Sequence, residues 1–223
     1  MAEIYLTQNL KDLNKDILNK IALAFQKKAH VSSKLVGERK FKSSPINRVS
    51  LLPSVKNKGL ICVESNLELS HAISLERDND VLQYRTQAVK IHLSDRHFII
   101  PDFIVKKINT IEVHEIKANR RRLSSTQLSR FELAEKTLEL FSIKFSLFDH
   151  NDLLSQDESL LLNISYQRAN QQKISQKQIN SIRSILLHKE FKNPDDLYIF
   201  FKKNGLTTNL ADYFIFYEKI LGI

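Results

Sequence analysis

Two neighbouring strand-like segments in the middle of the chain carry charged side chains, and they constrain the fold more than any other feature. Residues 98–105 read FIIPDFIV and residues 110–117 read TIEVHEIK; both are rich in β-branched and aromatic residues, as strands are. Because side chains alternate faces along a strand, Glu115 and Lys117 point to the same side. Asp102 on the adjacent strand can then meet them. The sequence therefore predicts two carboxylates and an ammonium on one face of a sheet.

These residue types suit the hydrolysis of a phosphodiester, which places extra negative charge on the phosphate and the leaving oxygen. Asp102 and Glu115 would hold Mg²⁺, which prefers oxygen ligands, offsets that charge and lowers the pKa of a bound water. Lys117 would lie beside the water or the scissile phosphate as a fixed positive charge. Glu112 has the opposite strand parity, so it is not predicted to lie in the site.

A non-catalytic interpretation of the same residues stays open, because a PD…ExK pattern is short and recurs by chance. In that interpretation Asp102 is a turn residue, and Glu115 and Lys117 form a solvated pair on an exposed strand. The hairpin context and the strand parity favour a metal-dependent nuclease.

A predicted helix upstream carries a third candidate acid. Residues 65–76 read SNLELSHAISLE, with apolar residues at helical spacing and Ser65 as N-cap. Many nucleases with this site place an acid on a helix before the PD strand, and Glu68 occupies that position. Glu68 also completes a capping box in which its side chain would bond to the Ser65 amide. Both roles are compatible with the sequence.

In combination these motifs resemble the nuclease domain of TnsA, the endonuclease subunit of heteromeric cut-and-paste transposases of the Tn-seven type. The resemblance is carried by residues 65–87 (SNLELSHAISLERDNDVLQYRTQ), then by IIPDFIV and VHEIK in the same order. It extends from about residue 43 to about residue 166 and includes a strand at residues 144–149 and a helix with Asn163. Several motifs in register are more specific than PD…ExK alone.

The resemblance implies an α/β fold of the restriction-endonuclease-like PD-(D/E)xK class, a mixed sheet flanked by helices, with a small helical C-terminal region. It implies two Mg²⁺ ions, for which Mn²⁺ should substitute, and cleavage of the non-transferred strand at the 5′ ends of a transposon. Some members carry glutamine at the position of Glu115, and Gln87 matches a recurrent glutamine without an assigned role. By motif match the catalytic residues are Glu68, Asp102, Glu115 and Lys117, and the metal ligands are Glu68, Asp102, Glu115 and the backbone carbonyl of Ile116.

The partners implied by the family are double-stranded DNA of the transposon ends, the DNA-joining transposase subunit TnsB and the ATP-dependent regulator TnsC. A net charge of +9 agrees with a polyanionic partner, although a basic balance alone does not demonstrate one. Basic clusters predicted to contact phosphates are Arg39, Lys40 and Lys42 before the core, and Arg120, Arg121 and Arg122 after Lys117. The second cluster could equally be the solvated start of the following helix.

Three regions are expected along the chain: an N-terminal helix (1–30), the nuclease domain (31–168) and a small helical domain for partner or DNA contact (174–223). The polar segment at residues 167–176 suggests the last boundary. No apolar stretch is long enough to span a membrane and the N-terminal residues show no signal-peptide pattern, so a cytoplasmic protein acting on prokaryotic DNA is expected.

Two other functional classes remain. Another PD-(D/E)xK nuclease, of the restriction or resolvase type, would share the site but not the motif at residues 65–87. A non-catalytic, DNA-bound assembly factor could keep the fold, but such a protein has no physical need for clustered carboxylates.

Overall fold

The computed structural model describes residues 2–27 and 49–223, which divide into two compact units, the first ending at Leu154 and the second beginning at Ser155. None of the described helices is both long enough and apolar enough to cross a membrane. The elements of the first unit are α1 (Ala2–Leu13), α2 (Ile17–Gln26), β1 (Ser50–Ser54), β2 (Gly59–Val63), α3 (Asn66–Arg77), β3 (Val81–Thr86), β4 (Ile91–His92), β5 (Phe98–Ile99), β6 (Phe103–Lys107), β7 (Ile111–Ile116), a 3₁₀ turn (Arg120–Arg122), α4 (Ser125–Glu139) and β8 (Lys144–Phe148).

A mixed four-stranded sheet forms the centre of this unit, in the order β3-β6-β7-β8. β6 pairs antiparallel with both β3 and β7, and β7 pairs parallel with β8. A parallel pair needs a crossover connection, which α4 supplies. The fold class is thus confirmed as α/β with a mixed sheet flanked by helices.

The two faces of the sheet are covered by different helices, because alternate residues of β6 and β7 point to opposite sides. Ile104 and Val113 belong to one apolar cluster with residues of α2, α4 and the β4–β5 ribbon. On the opposite face Phe103 and His114 pack against His71 of α3, with ring centroids 5.0 and 5.1 Å apart.

Two elements predicted as continuous are interrupted by long-range hydrogen bonds. The apolar residues at helical spacing in residues 7–28 predict one amphipathic helix, but the chain there is divided between α1 and α2. At the division the side-chain amide of Asn14 donates to the His92 carbonyl (2.9 Å) and accepts from the backbone amide of His92 (3.0 Å). Residues 81–93 read as one long strand in the sequence, but β3 ends at Thr86 and the chain turns at Gln87, whose φ of 47° lies in the left-handed region. The Gln87 amide there donates to the Asp102 carbonyl at 3.0 Å.

The second unit, Ser155–Ile223, is helical and includes residues that were expected in the nuclease domain (31–168). It contains α5 (Gln156–Ala169), α6 (Gln176–Leu186), α7 (Pro194–Lys203) and α8 (Thr208–Phe216). α5 belongs to it because its apolar side packs on α8, with the Tyr166 and Phe216 rings 4.8 Å apart. The polar residues after α5 form a loop within this unit, rather than the boundary expected between residues 168 and 174.

Candidate active site

Asp102, Glu115 and Lys117 meet at one end of the β6–β7 hairpin, as the strand parity predicts. The Nζ atom of Lys117 lies 2.5 Å from Oε1 of Glu115 and 3.8 Å from Oδ2 of Asp102. It also donates to the backbone carbonyl of Ile116 at 3.0 Å. One positively charged atom therefore contacts or approaches three of the predicted oxygen ligands at once.

Backbone hydrogen bonds hold these side chains at the end of the hairpin. The Ile116 amide donates to Oδ2 of Asp102 at 2.7 Å, which ties the carboxylate to the last residue of β7. The Lys117 amide donates to the Phe148 carbonyl at 2.9 Å, which ties the lysine to β8. The site thus depends on three neighbouring strands of the sheet.

Burial makes the Glu115 carboxylate expensive to ionise. Its side chain is 10% exposed, and Oε2 has no hydrogen-bond partner among the described residues. Burial and the negative charge of Asp102 raise the pKa of Glu115, although Lys117 opposes the shift. Burial disfavours the charge of Lys117, but Glu115 and Asp102 outweigh it and raise the pKa of Lys117. The carboxylates of Asp102 and Glu115 therefore face a single ammonium, and the cluster has an excess of negative charge whenever both are ionised.

Glu68 is close enough to this cluster to interact electrostatically, and it also caps α3. Burial, followed by the charge of Asp102, raises the pKa of Glu68 to about 7. Ser65 is the N-cap, as predicted: its hydroxyl accepts from the Glu68 amide at 3.1 Å. The Glu68 carboxylate accepts from the Glu64 amide at 2.9 Å and from the Ser65 hydroxyl at 3.1 Å, instead of from the Ser65 amide. The capping and electrostatic roles thus coexist.

The oxygen atoms of Asp102, Glu115 and the Ile116 carbonyl are chemically suited to a hard divalent cation. The side chains do not, however, form a complete coordination shell. Within residues 2–27 and 49–223, no three acidic, histidine or cysteine side chains converge as metal ligands. The atom that does reach the Asp102 and Glu115 carboxylates and the Ile116 carbonyl is the Lys117 ammonium. Carboxylate and carbonyl oxygens are the ligands that Mg²⁺ prefers, and the unpartnered Oε2 of Glu115 is available for a further contact.

The basic residues after Lys117 do not share one role. The Arg120 guanidinium bonds to Asp152 at 2.9 Å and lies 3.5 Å from Asp149. Backbone hydrogen bonds from Arg120 and Asn151 lower the pKa of Asp149 to about 2. Arg120 thus fastens the loop after β7 to the end of β8.

By contrast, Arg121 and Arg122 are exposed and their side chains make no ion pair with any described residue. They are free to contact phosphates. The other predicted cluster, Arg39, Lys40 and Lys42, lies outside the described residues.

A buried series of hydrogen-bonded side chains, His71, His114 and Glu112, was not predicted from the sequence. Nε2 of His71 and Nδ1 of His114 share a hydrogen bond of 2.9 Å, and Nε2 of His114 bonds to Oε2 of Glu112 at 2.9 Å. Glu112 faces away from the acidic cluster, as its parity predicts. Two spacings in the sequence are consistent with this series. His71 follows Glu68 by three residues, which places both on one side of a helix, and Glu112 and His114 are two residues apart, which places both on one face of a strand.

Gln87 also lies beside the site. Its Nε2 donates to Oε2 of Glu64 at 3.1 Å, and its buried Oε1 has no partner among the residues described. Since the Glu64 amide bonds to Glu68, Gln87 supports the residues that hold the third acid. A left-handed backbone at a non-glycine residue is a strained conformation of the kind found at functional sites.

The resemblance to TnsA rests on motifs in register, and the structure brings their acidic and basic residues to one end of a sheet. Such an arrangement is compatible with a nuclease-like core. Family membership is a prediction from those motifs alone, because no protein-family model matches the chain and no curated protein matches it either.

Proposed function

We propose that this chain is a metal-dependent DNA endonuclease with a PD-(D/E)xK fold, acting as the TnsA-type subunit of a transposase. The observation that supports the chemistry best is the convergence of Asp102, Glu115, the Ile116 carbonyl and Lys117 at the end of one hairpin. The motif at residues 65–87 favours TnsA over restriction or resolvase enzymes. Cleavage of the non-transferred strand at transposon 5′ ends, and the partners TnsB and TnsC, belong to the same proposal.

The residues have separate roles in this mechanism. Asp102, Glu115 and the Ile116 carbonyl would hold Mg²⁺ or Mn²⁺, with Glu68 at a second position. When bound, the metal ion supplies positive charge at the scissile phosphate and a water of lowered pKa. Lys117, released from Glu115, would then lie beside the attacking oxygen or the phosphate and stabilise the negative charge that develops there. The attacking water gives up a proton to solvent and its oxygen forms the new bond to phosphorus, while the bond from phosphorus to the leaving oxygen breaks and that oxygen takes up a proton.

The first test is Mn²⁺ binding by calorimetry in the presence of duplex DNA, for the wild type, Asp102→Ala and the matched control Asp95→Ala. Asp95 is an exposed acid outside the site. We expect binding by the wild type and the control, and its loss in Asp102→Ala. If the folded wild type bound no Mn²⁺ on DNA, the metal site would be excluded and a non-catalytic assembly factor favoured.

The second test is strand cleavage of plasmid DNA by the protein, alone and with its transposase partners. Asp102→Ala and Lys117→Ala should each abolish cutting while the variants remain folded and assemble normally. Cutting by either variant at the wild-type rate would show that the active site lies elsewhere. Sequence-specific cutting of naked DNA without partners would instead identify a restriction-type enzyme.

A further inference from the structure

A cleft of about 360 Å³ opens directly beside Glu115 and Lys117. Its remaining walls come from β5, the residues after it and the first turns of α4. None of these wall residues belongs to the acidic cluster. Phe98, Arg130 and Phe131 are among the residues that line it.

Positive charge lies along the walls of the cleft. The Arg130 guanidinium is exposed and donates to the Phe98 carbonyl at 3.2 Å, which places it at the rim. Since a guanidinium carries five N–H donors, this contact leaves several for another acceptor. Lys117 borders the cleft from the catalytic side, and Nζ of Lys90 lies 4.3 Å from the centre of the Phe98 ring. The Glu115 carboxylate also lines the cleft, so the favoured position for an anionic group is at the Arg130 guanidinium, whose geometry suits phosphate.

Aromatic rings form the other part of the lining. Phe98 is 42% exposed, although it is a large apolar side chain on a two-residue strand. Phe131 is half-buried, and its ring centre is 5.7 Å from Nζ of Lys117. An aromatic ring beside a cationic groove is the usual platform on which proteins stack nucleic-acid bases without reading their sequence.

The volume of the cleft limits the size of the ligand that it can hold. A cleft of about 360 Å³ is near the lower end of small-ligand sites, which span roughly 300–1,000 Å³. It can receive one nucleotide of a strand, but not a base pair. A base can reach Phe98 and Phe131 only after it has left the duplex stack.

We propose that this cleft binds the nucleotide next to the scissile phosphate of the cleaved strand in an unpaired state. In this assignment Arg130 contacts the phosphate of that nucleotide, and Phe98 and Phe131 pack against its base. The assignment rests on the proposed nuclease function and adds a preference for DNA that is single-stranded or locally opened at the cut.

The test measures equilibrium binding of a fluorescein-labelled oligonucleotide by anisotropy in EDTA, first as a single strand and then annealed to its complement. The variants are Phe98→Leu, Phe131→Leu and Arg130→Gln. The matched control is Lys136→Gln, which removes one exposed positive charge from the same helix α4 outside the cleft.

The proposal predicts a different signature for each type of side chain. Each phenylalanine variant should weaken single-strand binding about fivefold or more, since stacking contributes roughly 1–3 kcal/mol per base, and should leave duplex binding near the wild-type value. Arg130→Gln should weaken both and lower the slope of log K against log salt by about one phosphate contact. Lys136→Gln should not distinguish the two forms of DNA.

Phe98→Leu keeps the proposal testable even if Phe131→Leu disturbs the packing of Phe131 on Phe145. Equal losses for single strand and duplex in Phe98→Leu, or no loss, would overturn the nucleotide site. If the same variants still cleaved DNA, the endonuclease function would stand without it. If the wild type bound no DNA and no Mn²⁺, both proposals would fail together.

Discussion

Nζ of Lys117 lies 2.5 Å from Oε1 of Glu115, two residues earlier in the chain, and the same atom donates to the carbonyl of Ile116 between them. The lysine therefore contacts two oxygens that the proposed metal ion also needs. A lysine and a divalent cation cannot share these oxygens without repulsion. Two unit charges 4 Å apart interact by about 4 kcal/mol at an effective dielectric constant of 20.

Replacing Lys117 with methionine should strengthen Mn²⁺ binding while abolishing DNA cleavage. We expect the dissociation constant to fall by about tenfold or more at a pH where Glu115 is ionised, because the competing ammonium is gone. Calorimetry with and without DNA measures the first effect, and plasmid nicking measures the second. Lys117→Arg is the control that keeps the charge. Weaker or unchanged Mn²⁺ binding by Lys117→Met would contradict competition between lysine and metal.

Arg120 and Arg121 are neighbours in sequence but should respond differently to substitution. Arg120→Gln removes ion pairs to Asp149 and Asp152 and should lower the Tm. Arg121→Gln should leave the Tm unchanged and reduce the salt dependence of DNA binding by about one phosphate contact. Differential scanning calorimetry and anisotropy titrations over a series of salt concentrations separate these effects. The reverse pattern would assign DNA contact to Arg120.

The buried hydrogen bonds that link His71, His114 and Glu112 should stabilise the folded state only when all three side chains are present. His114→Leu leaves Nε2 of the buried His71 without its partner, whereas Oε2 of Glu112 keeps its ion pair with Lys107 at 3.4 Å. We expect a loss of about 2 kcal/mol in the free energy of unfolding. In the His114→Leu variant, the further substitution His71→Leu should lower the free energy of unfolding by less than it does in the wild type, because the hydrogen-bond partner of His71 is already missing. Urea unfolding of both single variants and the double variant measures this coupling. Additive losses would show that the two histidines stabilise the fold independently.

Asp212 in α8 should make stability depend on pH in the acidic range. It is fully buried and accepts a hydrogen bond of 2.5 Å from the Tyr198 hydroxyl. Burial raises the pKa of Asp212 above its usual 3.8, although the bond from Tyr198 opposes the shift. Because the folded state binds the proton more tightly, its contribution is fully present below pH 3.8 and is lost as the pH rises through the elevated pKa.

Asp212→Asn should therefore be less sensitive to pH than the wild type in this range. The measurement is the difference in urea midpoint between wild type and variant, taken on the full chain at acidic and at neutral pH. We expect the urea midpoint of Asp212→Asn to rise relative to that of the wild type as the pH increases. A difference that is constant with pH would show that Asp212 keeps an ordinary pKa in the fold.

The parts of the site that could be predicted from the sequence are those fixed by local geometry. Glu115 and Lys117 share a strand face because side chains alternate with a period of two. Ser65 caps α3 because its hydroxyl reaches an amide three residues away. Neither inference needs any knowledge of distant parts of the chain.

The unpredicted features depend on partners far away in sequence. Asn14 separates α1 from α2 because it bonds to His92, 78 residues away. Arg120 is an anchor because Asp149 and Asp152 lie next to it only in the folded sheet. α5 joins the C-terminal unit because α8 covers its apolar side. A pattern of local polarity does not specify such pairings.

The bond from the Lys117 amide to the Phe148 carbonyl makes the geometry of the candidate site depend on the last strand of the sheet. β8 is the last strand of the sheet to leave the ribosome, and it follows the whole of α4. Until it docks beside β7, Lys117 has no fixed backbone position and the loop behind it lacks its anchor at Asp149. Under the proposed nuclease function, a growing or truncated chain without β8 would thus carry every acid of the site and yet hold Lys117 less firmly, so cleavage would require the completed sheet.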